Sequence, residues 1–155
     1  MGKILLIEDE GTIKENMREK LRNKKHEVKH ANDCASAIGL WRKYNGDFDC
    51  IILDLNINPT GFEPDEVDKY FPIHGILVLN KISDEEILGQ EGKAQEEKEG
   101  EIWEKTIVYS AYIDRLTDKK REFRNFKKLK LIRKEKDTSI SDLIETVTDF
   151  LKERE

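Results

Sequence analysis

Long apolar runs are missing from this sequence. None approaches the ~18 residues that a membrane-spanning helix requires, so no span is expected. Cysteine is scarce: only Cys34 and Cys50 occur, without CxxC spacing and without a neighbouring pair of histidines. That argues against a disulfide framework or a zinc site and fits a reduced, cytoplasmic setting. Neither GxxxxGK(S/T) nor GxGxxG occurs, which excludes the P-loop and dinucleotide-binding classes. No general excess of positive charge exists either, since the net charge is −5; direct nucleic-acid binding is not expected. The amino-terminal MGKILLIEDE has a short apolar run, but it ends in acids and not in the small residues of a cleavage site. It reads as a strand, not as a signal peptide.

What is present in excess is charge, at 39% of 155 residues, against ~25% in an ordinary domain. It is unevenly laid out. Residues 84–105 hold nine acids against three lysines, while residues 115–136 hold eleven Lys or Arg against three acids. Two solvated faces are the simplest reading of these blocks.

The apolar residues set out alternating elements. Ile4–Ile7 and FDCIIL (Phe48–Leu53) are continuous apolar runs, the pattern of strands covered on both faces. TIVYS (Thr106–Ser110) is a third, KLIR (Lys130–Arg133) a further strand, and HEVKHA (His26–Ala31) a more polar edge strand. Ile13, Met17 and Leu21 recur every four residues, one face of a helix. Asp33 is placed to cap a second helix that turns Ala37, Ile38 and Trp41 inward. Gly75–Ile82 reads as a compact apolar helix and Ile113–Phe126 as a basic one. The last helix has the clearest stripe: Ile140, Leu143, Ile144, Val147, Phe150 and Leu151, with Ser139 and Asp142 as a capping pair. All three prolines fall in Asn56–Pro72, which shows no helical period and reads as a long loop. Ser83–Glu104 reads as a partly helical or mobile acidic stretch. The length suits a single domain spanning 1–155.

Strands alternating with helices imply an α/β fold: a three-layer α/β/α sandwich on a five-stranded parallel sheet, with expected order 2-1-3-4-5. Ligands in such sheets sit at the carboxyl ends of the strands near the switch point, here β1 and β3. Polar residues follow the apolar runs at those ends: Glu8 and Asp9, then Asp54, Ser110 and Lys134. Three crowded carboxylates repel one another and invite a hard divalent cation such as Mg²⁺. A cationic lysine and a hydroxyl complete a set suited to phosphoryl transfer, where positioning and charge neutralisation dominate.

This set, in this order, resembles the receiver domain of response regulators in two-component signalling, with its CheY-like, flavodoxin-like fold. The resemblance covers residues 1–57 well and 104–151 less closely; between them only Gly75–Ile82 is recognisable. It implies that Asp54 is the phosphoacceptor. It implies further that Glu8, Asp9, Asp54 and the backbone carbonyl of Asn56 hold Mg²⁺, that Ser110 binds a phosphoryl oxygen, and that Lys134 pairs with the phosphoryl group. The departures are specific. Glu135 stands where the family has proline after the lysine, which leaves Lys136 as an alternative for the lysine role. Leu131 replaces the strand-five aromatic. Segments at about 58–72 and 83–104 are insertions relative to the family.

The function so implied is a phosphorelay switch, phosphorylated by a sensor histidine kinase or a phosphotransfer protein. It would not be an enzyme beyond assisting its own phosphoryl transfer and dephosphorylation. With the sequence ending soon after the last helix, output is expected through docking to a partner protein. The alternative is a pseudo-receiver that binds partners without phosphorylation. A small phosphohydrolase is disfavoured, because Asn56 stands where such enzymes carry a second aspartate.

Overall fold

A computed structural model describes residues 2–87, 93–135 and 140–153. Five strands, β1 (Lys3–Ile7), β2 (Glu27–Ala31), β3 (Cys50–Leu53), β4 (Thr106–Ser110) and β5 (Lys130–Arg133), form one sheet in the order β2-β1-β3-β4-β5. Every neighbouring pair is parallel. Ile7 lies opposite both Ala31 and Leu53, and Ser110 opposite Arg133. The carboxyl ends of the strands therefore share one rim.

The sheet is covered on both faces, as its unbroken apolar strands require. Side chains of successive strand residues point to opposite faces, and two cores result. One gathers Leu5, Ile7, Ile51, Leu53 and Val108 against α2 (Cys34–Lys43), α4 (Ile76–Ile87) and α5 (Lys93–Glu104). The other gathers Ile4, Leu6, Cys50, Ile52, Ile107 and Tyr109 against α1 (Gly11–Asn23) and α7 (Ile140–Glu153). The α7 stripe buries Leu143, Ile144, Val147, Phe150 and Leu151 as expected. Ser139, half of the capping pair read from sequence, lies outside the described residues. Asp33 caps α2, its carboxylate accepting from the Ser36 N–H at 2.7 Å.

Three expectations are corrected. The stretch Asn56–Pro72 is not loop throughout: it contains the short helix α3 (Pro64–Lys69). This helix buries none of its residues and so leaves no apolar period to read. Its signals are local, Pro64 at the first helical position and Asp65 and Glu66 in the first turn. The apolar helix beginning after Gly75 does not end at Ile82 but runs to Ile87, and α5 follows it, so most of the acidic stretch among the described residues is helical. Trp103 anchors that stretch: it is buried, and its indole N–H donates to the Ser83 hydroxyl at 3.1 Å. The basic helix over Ile113–Phe126 is confined to α6 (Ile113–Asp118), followed by two 3₁₀ turns at Lys120–Glu122 and Phe126–Lys128. A continuous helix would carry Lys120 and Lys127 onto the stripe of Ile113, Leu116 and Phe123. Breaking it lets Leu116, Phe123 and Leu129 turn inward while those lysines stay exposed.

No helix among the described residues is long and apolar enough to cross a membrane.

Candidate phosphoryl-transfer site

The site forms where strand alternation runs out of apolar residues. Ile4 and Leu6 face the second core, and Glu8 has the same parity; Cys50 and Ile52 face it, and so does Asp54 by the same count. Ladder hydrogen bonds continue past the strand ends, Glu8 N–H to Ala31 O at 3.1 Å, Asp54 N–H to Ile7 O at 2.9 Å and Lys134 N–H to Ser110 O at 3.0 Å. The alternation therefore persists for one more residue on each strand. The outcome is two buried carboxylates, Glu8 at 1% exposure and Asp54 at 7%, on adjacent strands.

Lys134 joins them. Its Nζ donates to Glu8 Oε2 at 2.7 Å and to Asp54 Oδ2 at 3.0 Å. Asp9 is exposed at the mouth, and one oxygen from each of Glu8, Asp9 and Asp54 lies within 4.8 Å of the others. The backbone N–H of Asn56 donates to Asp54 Oδ1 at 3.3 Å, and that of Glu10 to Glu8 Oε1 at 3.0 Å. Each buried carboxylate thus has one oxygen on a main-chain N–H and the other on the lysine.

One ammonium does not balance this much negative charge. Burial, followed by the neighbouring Asp54 carboxylate, pushes the Glu8 pKa up to about 7, against the pull of Lys134. Burial also opposes the charge on Lys134, but Asp54 and Glu8 outweigh it and hold the lysine above its ordinary value. A cluster of hard oxygen donors with uncompensated charge, one of them at the solvent edge, fits Mg²⁺, which keeps several waters and needs few protein carboxylates.

The rest of the rim is built from the backbone. Gly75 packs against the chain just beyond Asp54: its N–H donates to Leu55 O at 2.7 Å, and a Cβ there would fall 2.3 Å from Asp54 O. Only glycine permits this approach.

Of the residues singled out from sequence, Glu8, Asp9, Asp54, Asn56 and Lys134 come together. Ser110 is fully buried at the end of β4, and its hydroxyl accepts the Tyr112 N–H at 3.2 Å. Among the described residues it makes no hydrogen bond to Asp54. Lys136, the alternative lysine, lies outside the described residues. Tyr109 is not legible as a site residue from sequence, because inside TIVYS it reads as one more buried strand residue. Its ring centroid lies 5.4 Å from Lys134 Nζ. The available signal is parity: Tyr109 is paired with Ile132, two residues before Lys134.

No protein-family model and no curated protein matches the sequence. Solved structures do match. A response regulator receiver domain protein from Clostridium thermocellum is 17% identical with a TM-score of 0.61, over 99% of this chain and 97% of that one. The receiver domain of Francisella response regulator 1452 is 18% identical with a TM-score of 0.60, over the whole of both chains. The response regulator TrrA from Thermotoga maritima, solved in complex with Mg²⁺ and BeF, is 20% identical with a TM-score of 0.56, over 97% of this chain and 99% of that one. The chain therefore has the receiver-domain fold, with the strand order expected from its sequence.

Proposed function

We propose that this protein is a phosphorelay switch that accepts a phosphoryl group on Asp54 in a Mg²⁺-dependent reaction. The donor would be a histidine kinase or a histidine phosphotransfer protein. The observation that carries this reading is the convergence of Glu8, Asp9, Asp54 and Lys134 at one rim of the sheet, on a receiver-domain fold.

The chemistry follows from the placement. A carboxylate oxygen of Asp54 attacks phosphorus in line with the donor's P–N bond. The P–O bond forms as the P–N bond breaks, and the imidazole nitrogen leaves with the electron pair and takes up a proton. The hydrogen bond from Asn56 N–H fixes the rotation of the Asp54 carboxylate before attack. Lys134 sits against Asp54 and is placed to meet the charge on the transferred oxygens. Ser110 uses its oxygen as an acceptor towards Tyr112 N–H, which leaves its own proton free to donate to a phosphoryl oxygen after a small rotation. Mg²⁺, held by Glu8, Asp9, Asp54 and the Asn56 carbonyl, would neutralise charge on the carboxylates and the phosphoryl group. The bound phosphoryl group then changes the rim that a partner protein reads.

The test uses acetyl phosphate with magnesium, followed by intact mass. Wild type should gain one phosphoryl group, EDTA should suppress the gain, and Asp54→Asn should abolish it. Equal labelling of Asp54→Asn would defeat the assignment. A wild type that stays unlabelled yet still binds partners would favour the pseudo-receiver alternative, which Glu135 after Lys134 and the exposed Leu131 on β5 make worth testing.

A further inference from the structure

The lysine of this site is held from a third side. Lys134 leaves the carboxyl end of β5, whose Lys130, Leu131 and Arg133 are exposed. Lysine carries a flexible four-carbon stem and loses much rotamer freedom when fixed. On such a strand its default is to extend into water. Instead Nζ stands between two carboxylates and over the ring of Tyr109, 5.4 Å from the centroid. That is within the ~6 Å over which the negative face of an aromatic ring attracts a cation.

The register explains how the ring comes to lie there. Tyr109 pairs with Ile132 across β4 and β5, and Ser110 with Arg133. Ile132 packs against the second core, the same side as Tyr109. Lys134 follows Ile132 by two residues, and the ladder bond from its N–H to Ser110 O keeps the alternation intact. The lysine stem must therefore leave on the ring's side of the sheet. Tyr109 is itself almost fully buried, so its ring is fixed by the core beneath it.

We propose that Tyr109 is a positioning residue for phosphoryl transfer, its ring the platform that keeps the Lys134 ammonium beside Asp54. The inference rests on the reading of Asp54 as phosphoacceptor. Its value lies in what happens during transfer. Both carboxylates that hold the ammonium at rest change when the reaction proceeds: Asp54 becomes an acyl phosphate and loses a free oxygen, and Glu8 is a candidate cation ligand. The attraction of the ring depends on neither. It keeps the lysine at the rim while its carboxylate partners are occupied, where it can meet the phosphoryl oxygens. The ring holds the cation by its face, so the phenol hydroxyl is not required.

Initial rates of phosphorylation by acetyl phosphate with magnesium, followed by intact mass, decide this through a double-mutant cycle. Tyr109→Leu should slow the reaction about tenfold, the scale of a lost cation–ring contact at a largely buried site, and Tyr109→Phe should stay within about twofold of wild type. In a Lys134→Met background, Tyr109→Leu should change the rate by less than about twofold, because the residue it acts through is gone. An undiminished loss in that background would make Tyr109 a packing residue and overturn the proposal. A second readout needs no catalysis. In magnesium-free protein the Cε protons of Lys134 should be shifted upfield by the ring in wild type and in Tyr109→Phe, and return to ordinary lysine positions in Tyr109→Leu. Ordinary positions in wild type overturn the platform even if the leucine variant fails to fold. An unlabelled wild type with upfield Lys134 protons would reject the phosphoacceptor reading and leave the platform standing.

Discussion

At the scale of single residues, the site is a place where stability is given up. Glu8 and Asp54 are both buried, on adjacent strands, and share one ammonium. Breaking a buried pair by removing one partner is costly, and removing one of two like charges is not. In magnesium-free buffer Lys134→Met should lower unfolding free energy by about 2 kcal/mol, since it leaves both carboxylates without their cation. Asp54→Asn should instead stabilise, by about 1 kcal/mol, because it removes one of two buried like charges that share a single ammonium. Urea unfolding in EDTA measures both, and a stabilising Lys134→Met would show that the lysine is not holding the cluster together. Glu8 and Asp54 are legible in sequence because each ends an apolar run and so is carried to the rim by the strand before it. What sequence does not carry is the partner of each group. Ser110 is at the expected strand end, yet its hydroxyl is turned to Tyr112 N–H, and no pattern along the chain records that rotation.

At the scale of elements, apolar runs and stripes are read reliably, and elements that bury nothing are not. β1, β3 and β4 are buried along nearly their whole length, and α7 has one continuous buried stripe. By contrast α3 has no buried residue, and the segment after α6 abandons the helical period to keep its lysines out of the core. The acidic helix α5 reads as solvated because nearly all its charge is, but Ile102 and Trp103 are buried. Trp103 also lies 5.9 Å from the Phe123 ring. Its surface contacts are ion pairs of Arg124 with Glu96 and Glu99. Trp103→Ala should therefore cost about 3–5 kcal/mol, and Arg124→Ala less than about 1 kcal/mol. Thermal or urea unfolding would contradict this if the two effects were equal. The cap of α2 adds a pH-dependent contribution. The Ser36 N–H holds the Asp33 carboxyl below its ordinary value of 3.8. A depressed acid stabilises the fold above its unfolded value and loses that contribution as pH falls through the folded one. Asp33→Ala should cost about 1 kcal/mol at neutral pH, and the gap to wild type should close in acid. A gap that persists below the titration of Asp33 would show that the cap is not what the aspartate supplies.

At the scale of the whole molecule, strand order alone brings the candidate site residues together. Order β2-β1-β3-β4-β5 sets β1 beside β3, so Glu8 and Asp9 meet Asp54 although 44 residues lie between Asp9 and Asp54. It also sets β5 at the edge, so Lys134 reaches in from the side, past Tyr109. Two helices fall outside this arrangement: α3 lies in the connection after β3, and α5 precedes β4 without entering the sheet. The same alternation of strand and helix that makes the fold legible therefore makes the rim legible, while α3 and α5 add no strand to the sheet. The most direct measurement is the position of the phosphoryl group. After reaction with acetyl phosphate and magnesium, fragmentation of the peptide spanning residues 44–69 should place one phosphoryl group on Asp54 and none on Asp47, Asp49, Asp65 or Asp68. A group found on any of those carboxylates, or a peptide left unmodified, would contradict the account.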